Sequence, residues 1–316
     1  VPNEESPTEL IGMPCSENDP KQAIGIAIPS YRDGNLALDF CRSLLSMSGI
    51  LNPLFVAVVS NGPKEDCFDS IDDLGRCFAA RGWRFEHDHI EERGKCLAWD
   101  RAEELLGEEC AGIIYLDADI VIDENAIKSI ATWISDGSEP RLFAPRARVK
   151  RPRNLLVFAY GCIWERLPHV RKDVVGAGCL AVTREGRRRW KKWPTVFADD
   201  TFVRMMFSSG ERRVVENVHF DISLPERTID LVRIRARWMQ GYQLLLEQFP
   251  GIGSNEDRRW GEAIRYFMPR LHLYPACAVF VSIWFAAKIF LLLSGDSATR
   301  DWARAESTSV RQEAAK

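Results

Sequence analysis

The chain has 316 residues, of which 46% are hydrophobic, and a net charge of −3 at pH 7. This length and apolar fraction exclude an intrinsically disordered chain and allow a sizeable core in one large domain or two smaller ones. The nine cysteines include no Cys-X-X-Cys pair. Their scatter excludes a short disulfide framework and favours a reducing compartment.

The two ends of the chain are polar. Residues 1–21 contain four prolines and show no periodicity, which predicts a mobile N-terminal arm. They also lack the apolar core of a signal peptide. Residues 296–316 are polar as well, and we expect a frayed tail there.

Residues 22–135 repeat the pattern of strand, loop and helix, which we interpret as one half of the protein. Apolar runs at 23–29 and 54–59 predict buried strands, residues 84–87 a weak short strand, and 97–106 a helix. This alternation predicts an α/β fold with a mostly parallel central sheet flanked by helices.

A further apolar run at 112–116 ends in Asp117-Ala118-Asp119. Mg²⁺ and Mn²⁺ favour carboxylate oxygens together with substrate phosphates, so this pair is suited to hold a metal on a nucleotide diphosphate. Ligands of open α/β sheets bind beyond the carboxyl ends of the strands, where Asp33 and Asn61 also fall. A solvated strand end is the alternative interpretation.

The second half, residues 136–265, begins with a basic segment. Residues 141–192 hold 15 Lys and Arg against 3 acids, so this segment carries +12 and the rest of the chain −15. Residues 174–182 predict a strand entered through two glycines. Asp199 and Asp200 then stand at the start of a predicted helix, either as functional acids or as a simple helix cap.

A largely apolar stretch occupies residues 273–293, within a predicted membrane-associated segment at 266–295. It is long enough to span a bilayer. An in-plane helix at the membrane surface is also consistent with it, with Lys288 reaching to the interface. The remaining alternative is a core helix.

Seven motifs occur in an order that resembles the family 2 glycosyltransferases of GT-A fold, over residues 22–245. They are Ile-Pro-Ser-Tyr-Arg-Asp, Val-Val-Ser-Asn-Gly, Arg-Gly-Lys-Cys-Leu-Ala-Trp, Tyr-Leu-Asp-Ala-Asp, Gly-Ala-Gly-Cys-Leu-Ala-Val, Ala-Asp-Asp-Thr-Phe-Val and Arg-Ala-Arg-Trp. The resemblance implies a Rossmann-like GT-A fold. It also implies inverting transfer of a single sugar from a nucleotide diphosphate donor, with Mg²⁺ or Mn²⁺ on the diphosphate.

The resemblance also implies roles on the donor side. Asp119 and Asp117 would bind the metal, with His219 as a third ligand as in some relatives. A UDP-sugar is the favoured donor and a GDP-sugar the second choice. The implied nucleotide-binding residues are Pro29, Tyr31, Asp33, Asn61, Arg93, Lys95, Asp117 and Ala118. Packing for Tyr31, a solvated charge for Lys95 and a structural role for His219 are the alternatives.

On the acceptor side, the resemblance makes Asp200 the general base. Asp199 would orient the base or the acceptor, and the other implied acceptor residues are Gly178, Arg235, Arg237 and Trp238. The last three resemble the Gln-X-X-Arg-Trp element of processive members, but the Gln position is Ile234 here. That difference favours single transfer over polymerisation.

The basic segment predicts contact with an anionic membrane. Its Lys and Arg residues alternate with tryptophans, which favour lipid interfaces. We therefore expect an enzyme at the cytoplasmic face of the membrane, with a lipid-linked, glycolipid or polysaccharide acceptor and no nucleic-acid partner. The residues concerned are Arg184, Arg187, Arg188, Arg189, Trp190, Lys191, Lys192 and Trp193.

Two other functions fit parts of the sequence. Asp117-Ala118-Asp119-Ile120-Val121 matches the signature of haloacid-dehalogenase-like phosphatases, in which Asp117 would be the nucleophile and Asp199 and Asp200 metal ligands. That signature usually follows a first strand, whereas at least two predicted strands precede it here. A non-catalytic, membrane-apposed relative that only binds nucleotide sugars is the second alternative.

Overall fold

A computed structural model describes residues 22–69, 71–135, 137, 139–255 and 260–294. The predicted mobile arm and polar tail lie outside these residues, as do Asp136 and Ser138 at the predicted division between the two halves.

Within the described residues, eight strands join into one sheet in the order β3-β2-β1-β4-β7-β6-β8-β5. The strands are β1 (Ala23–Ser30), β2 (Leu54–Asn61), β3 (Arg84–Ile90), β4 (Cys110–Leu116), β5 (Val121–Ile122), β6 (Leu142–Val149), β7 (Cys179–Thr183) and β8 (Arg212–Ile222).

Helices follow or separate most of the strands. They are α1 (Gly34–Ser46), α2 (Asp72–Ala80), α3 (Lys95–Leu106), α4 (Glu124–Ser135), α5 (Leu155–Trp164), α6 (Pro168–Arg171), α7 (Arg184–Arg187), α8 (Asp199–Met205), α9 (Thr228–Gln248), α10 (Trp260–Phe267) and α11 (Tyr274–Ser294). Short 3₁₀ turns occur at Asp66–Phe68, Ile252–Asn255 and Leu271–Leu273.

The predicted α/β architecture is confirmed. Strands β1 to β4 pair in parallel, and β7 joins β4 antiparallel, so the sheet continues without a break from the first half of the chain into the second. Every residue of β1 is buried, as expected of a central strand covered on both faces. Alternate residues of β1 enter two hydrophobic clusters, one on each face of the sheet.

One strand is shorter than the sequence predicts. The expected strand at 174–182 begins only at Cys179, because the three residues before it have positive φ angles: +83° at Gly176, +39° at Ala177 and +91° at Gly178. A left-handed backbone cannot join a sheet ladder, so these residues form a tight loop at the end of β7.

The apolar stretch predicted at 273–293 forms one helix, α11, and a separate shorter helix, α10, precedes it. Helix α10 ends at Phe267 and α11 begins at Tyr274. Residues Leu271–Leu293 are long and apolar enough to cross a membrane, with 11% of the apolar window buried. The buried side of α11, which includes Ile283 and Ala287, packs on α5 and α9. The helix therefore lies against the domain, with a largely exposed apolar side.

The expectation that the tryptophans of the basic segment rest on lipid is wrong, because Trp190 and Trp193 are buried. Arg187 is buried too, and its Nε donates to Glu103 Oε2 at 2.7 Å. Glu103 Oε1 also accepts from the Trp193 indole and the Tyr115 hydroxyl, each at 2.6 Å. These residues form an internal network, and only Arg188, Lys191 and Lys192 of the set are exposed.

This network yields a stability prediction. Glu103→Gln leaves the buried Arg187 guanidinium without its counter-charge, so we expect a loss of roughly 3 kcal/mol in the free energy of unfolding. Glu104→Gln, which breaks the exposed pair with Arg101, is the matched control and should cost less than about 1 kcal/mol. Urea denaturation measures both, and equal losses would contradict a structural role for the Glu103 network.

Candidate functional site

The first acidic pair follows β4 in a tight turn. The Asp117 backbone N–H donates to the Gly178 carbonyl at 2.8 Å, and the Ile120 N–H closes the turn onto the Asp117 carbonyl at 3.1 Å. Burial, helped by the nearby Asp117 charge, raises the pKa of Asp119 to about 6. The Ala118 side chain is buried, which leaves only its backbone for contact with a nucleotide.

The second acidic pair opens helix α8, where Ala198 is the N-cap and Asp199 and Asp200 are the first two helical residues. Asp199 is buried and Asp200 half-buried. Asp200 Oδ2 accepts a hydrogen bond from the Gly178 N–H at 3.4 Å. Burial raises the pKa of Asp200 to about 7, while the Lys95 charge opposes the shift.

Lys95, the first residue of α3, lies between the two pairs. Its Nζ is 2.8 Å from Asp117 Oδ1 and 2.8 Å from Asp199 Oδ2, and 4.5 Å from the centre of the Trp99 ring. Burial alone would lower the pKa of Lys95, but the charges of Asp117, Asp199 and Asp200 raise it well above its usual value. A single ammonium group thus bridges acids that lie 82 residues apart in the chain.

The glycine loop before β7, residues 176–178, connects the two acidic pairs through its backbone. Gly178 donates to Asp200 through its N–H and accepts from Asp117 through its carbonyl. A Cβ at Gly176 would lie 2.4 Å from the Asp200 Cβ, and one at Gly178 would lie 2.9 Å from Ile120 Cγ1 and 3.0 Å from Asp117 Oδ2. Both acidic pairs therefore need glycine in this loop.

On the predicted nucleotide side, Asn61 is nearly fully buried, and both the nitrogen and the oxygen of its side-chain amide form hydrogen bonds. Its Nδ2 donates to the Ser30 carbonyl at 2.8 Å, and its Oδ1 accepts from the Gly94 N–H at 3.1 Å. The side chain thus ties the end of β1 to the turn that presents Lys95. A direct contact of Asn61 with base or ribose stays a prediction.

The other predicted donor residues line the same end of the sheet. The guanidinium of the exposed Arg93 stacks over the Tyr31 ring at 4.4 Å, and Asp33 is buried at the start of α1. Pro29 is buried within β1. Sequence reasoning missed Glu65, whose Oε2 accepts from the Gly34 N–H at 2.9 Å. No motif marks Glu65, because its partner lies 31 residues away in the chain.

On the predicted acceptor side, α9 brings Arg237 close to the second acidic pair. Burial lowers the pKa of Arg237, and the nearby charge of Asp199 opposes that shift. The Arg235 guanidinium lies 5.3 Å from the centre of the Trp238 ring, and Trp238 is 41% exposed. An exposed aromatic side chain beside these charges is available to an acceptor.

The side chains at the site match the predicted metal site only in part. Among the described residues, no group of three or more His, Cys, Asp or Glu side chains is arranged to hold a metal ion. His219 lies on β8 opposite Arg146, and its role as a third ligand stays a prediction. The Lys95 ammonium shows that a cation is stabilised beside Asp117. A divalent ion held by Asp119, Asp117 and oxygens of a bound diphosphate would fit this site.

No protein-family model matches the chain, and no curated protein matches it. Among solved structures, the chain is similar to the mannosyltransferase PcManGT from Pyrobaculum calidifontis, in complex with GDP-Man and Mn²⁺. The TM-score is 0.53 at 17% sequence identity, over 93% of this chain and 79% of that one. The fold is GT-A-like.

Two other solved glycosyltransferases are similar at lower scores. S. aureus TarS 1–349 in complex with UDP has a TM-score of 0.47 at 11% identity, over 90% of this chain and 95% of its own. GalNAc-T7 with UDP, GalNAc and Mn²⁺ has 0.49 at 12%, over 66% and 45%. Both scores are below 0.5, so the GT-A-like assignment rests on PcManGT and on the sheet itself. The dehalogenase interpretation gains no support, because Asp117 follows β4 and three strands precede it.

The glycine loop yields a prediction with a matched control. Gly178→Ala places a methyl group against Ile120 and Asp117, whereas Gly251→Ala meets nothing within 4 Å at nearly the same φ, +93°. Both variants carry the left-handed backbone cost of about 1–2 kcal/mol, and Gly178→Ala should lose about 1–2 kcal/mol more through the clash. Thermal and urea unfolding measure the difference, and equal losses would show that the loop has room to move.

Proposed function

We propose that the protein is an inverting glycosyltransferase that moves one sugar from a nucleotide diphosphate donor to a hydroxyl of an acceptor. The observation that carries this proposal is the meeting of the two acidic pairs at Lys95, at the carboxyl ends of the parallel strands. One pair is suited to hold a metal and diphosphate, and the other to accept a proton from a hydroxyl.

The donor would lie over the ends of β1 and β2. Its base and ribose would contact Tyr31, Asp33 and the Arg93 side chain, which are close to one another at this edge. Lys95 would release Asp117 and turn its ammonium group toward the diphosphate. Mg²⁺ or Mn²⁺ held by Asp119 and Asp117 would supply positive charge for the leaving phosphate.

The transfer itself needs one base. The acceptor oxygen attacks the anomeric carbon while the bond from that carbon to the β-phosphate oxygen breaks, and the nucleoside diphosphate leaves with the bonding electrons. Asp200 takes the hydroxyl proton. A single carboxylate opposite the leaving group gives inversion in one step, because no enzyme nucleophile forms an intermediate.

The raised pKa of Asp200 supports this role. A carboxylate with a pKa of about 7 is a far better proton acceptor than an ordinary aspartate with a pKa near 4. Its half-buried position and the Gly178 N–H fix the carboxylate in place. The neighbouring Arg237 and Trp238 would hold the acceptor.

The acceptor is proposed to be attached to a membrane lipid or to a growing surface polysaccharide. The exposed apolar side of α11 supports a place at the membrane surface, and we propose that this is the cytoplasmic surface. UDP- and GDP-sugars are the proposed donors, and Ile234 favours the transfer of a single residue.

Asp200→Asn separates binding from chemistry. The amide retains the shape and the hydrogen bond from Gly178 but cannot take a proton, so kcat should fall by about 10²–10⁴-fold while the donor still binds. Calorimetry with UDP- and GDP-sugars plus Mn²⁺ measures binding, and product formation on membrane extracts measures transfer. Asp69→Asn, at an exposed carboxylate, is the control. Full activity in Asp200→Asn would exclude Asp200 as the base.

The same pKa predicts the pH dependence. Only ionised Asp200 accepts a proton, so kcat/KM should be constant above about pH 7 and fall about tenfold per pH unit below it. Lys95→Gln removes the charge that lowers the pKa of Asp200, so the midpoint of this fall should move to higher pH. Lys192→Gln, at an exposed lysine, should leave it in place. A midpoint near pH 4, or one that moves down in Lys95→Gln, would contradict the assignment.

A further inference from the structure

Helices α5, α9 and α11 border an open apolar cleft, and none of the four acids of the acidic pairs lines it. Its volume is about 380 Å³, within the range of pockets that bind small ligands, roughly 300–1,000 Å³. Leu156 of α5, Thr228 and Val232 of α9, and Ala278, Ser282 and Ala286 of α11 line it. These small and apolar side chains offer space but almost no hydrogen-bonding groups.

The cleft opens onto an exposed apolar surface. On α5, Leu155 is 77% exposed and Leu156 49%, and on α11 Val281, Phe285 and Ile289 are each about half exposed. A contiguous apolar surface of this kind usually marks contact with a membrane or another apolar partner. A lipid chain could therefore enter the cleft without crossing a polar surface.

Two polar groups lie one helical turn beyond the cleft. Tyr160 follows Leu156 by four residues on α5, and Arg235 follows Val232 by three on α9, so each shares a helix face with a lining residue. The Tyr160 hydroxyl and the Arg235 Nε are buried and have no hydrogen-bond partner among the described residues. The Tyr160 ring stacks on Phe280 of α11, with 4.9 Å between the ring centres.

The two polar groups are also close enough to interact. Burial raises the pKa of Tyr160 to about 12, and the charge of Arg235 opposes that shift. A buried donor without a partner costs roughly 1–3 kcal/mol, so a ligand that satisfies both groups would recover that cost. A phosphate oxygen would accept from both.

We propose that this cleft binds the apolar chain of a phosphate-linked lipid acceptor, with the phosphate at Arg235 and Tyr160; the assignment rests on the glycosyl transfer proposed above. Helix α9 then extends from the cleft that would hold the lipid chain toward the second acidic pair. Arg237 lies about 7.5 Å beyond Val232 along the helix axis and is close enough to interact with Asp199. The lipid chain, its phosphate and Arg237 would thus follow one another along α9 toward the second acidic pair.

Binding of geranylgeranyl phosphate to the full chain in neutral detergent tests the cleft without any transfer reaction. Isothermal titration calorimetry should give one site per chain, with much weaker binding of geranylgeraniol and of inorganic phosphate. Ser282→Phe fills the cleft and should raise the Kd at least about tenfold, or about 1.4 kcal/mol. Leu292→Phe, at an exposed position of the same helix that does not line the cleft, is the matched control and should change the Kd less than about twofold.

Arg235→Gln should weaken binding of geranylgeranyl phosphate and leave that of geranylgeraniol unchanged. Equal Kd values for Ser282→Phe and Leu292→Phe at unchanged melting temperature would overturn the proposal. Non-saturable uptake that does not depend on the phosphate would also overturn it, since this would mean simple partition onto the apolar surface.

The outcomes also separate the cleft from the proposed reaction. If geranylgeranyl phosphate binds as expected but no nucleotide sugar binds, lipid binding by the cleft is supported and the proposed glycosyl transfer is contradicted. If Asp200-dependent transfer occurs to a water-soluble saccharide and geranylgeranyl phosphate does not bind, only the proposal that the cleft binds a lipid is contradicted. Donor binding and melting temperature in Ser282→Phe show that the variant is folded.

Discussion

The contact of Lys95 with Asp117 and Asp199 is the interaction on which the site depends. It places one positive charge among three neighbouring carboxylates, Asp117, Asp199 and Asp200, whose charges act on the ammonium group. An excess of negative charge in a partly buried site is unfavourable in free energy. Burial, together with the neighbouring carboxylates, raises the pKa values of Asp119 and Asp200, and the same negative charge attracts a further cation. These electrostatics favour a bound cation at the acidic pairs, which is the basis on which a metal ion is proposed there.

The sheet and the glycine loop make this contact available. Strand β4 delivers Asp117, the antiparallel neighbour β7 places Gly178 against it, and the same glycine holds Asp200 from α8. A larger residue at Gly178 would push these groups apart, because Ile120 and Asp117 leave no room for a Cβ. Helix α9 then places Arg237 near Asp199 of the second pair, and packs on α11. The two acidic pairs, helix α9 and the exposed apolar helix α11 are thus joined by one continuous set of contacts.

Sequence patterns predicted the parts of this arrangement that are local. Apolar runs identified β1, β2 and β4, since strands buried on both faces are made mostly of apolar residues, and the first acidic pair stood at the end of β4. The parts set by distant residues could not be predicted. Nothing near Lys95 indicates that Asp199 lies beside it. The basic, tryptophan-rich segment was assigned to a lipid surface, although Glu103, 84 residues before Arg187, holds that arginine inside the protein. The apolar run at 174–182 likewise predicts a longer strand, although residues 176–178 form a loop that contacts the distant Asp117 and Asp200.

The central claim is that the two acidic pairs act on opposite sides of one donor sugar. A crystal structure with Mn²⁺ and a non-hydrolysable nucleotide-sugar analogue tests it most directly, because the anomalous signal of manganese locates the metal independently of the protein. The account predicts a manganese peak at the carboxylates of Asp119 and Asp117, the Lys95 ammonium turned to the diphosphate, and the Asp200 carboxylate on the face of the sugar opposite the phosphate. A manganese peak away from Asp119, or an Asp200 carboxylate on the same side of the sugar as the leaving group, would contradict it.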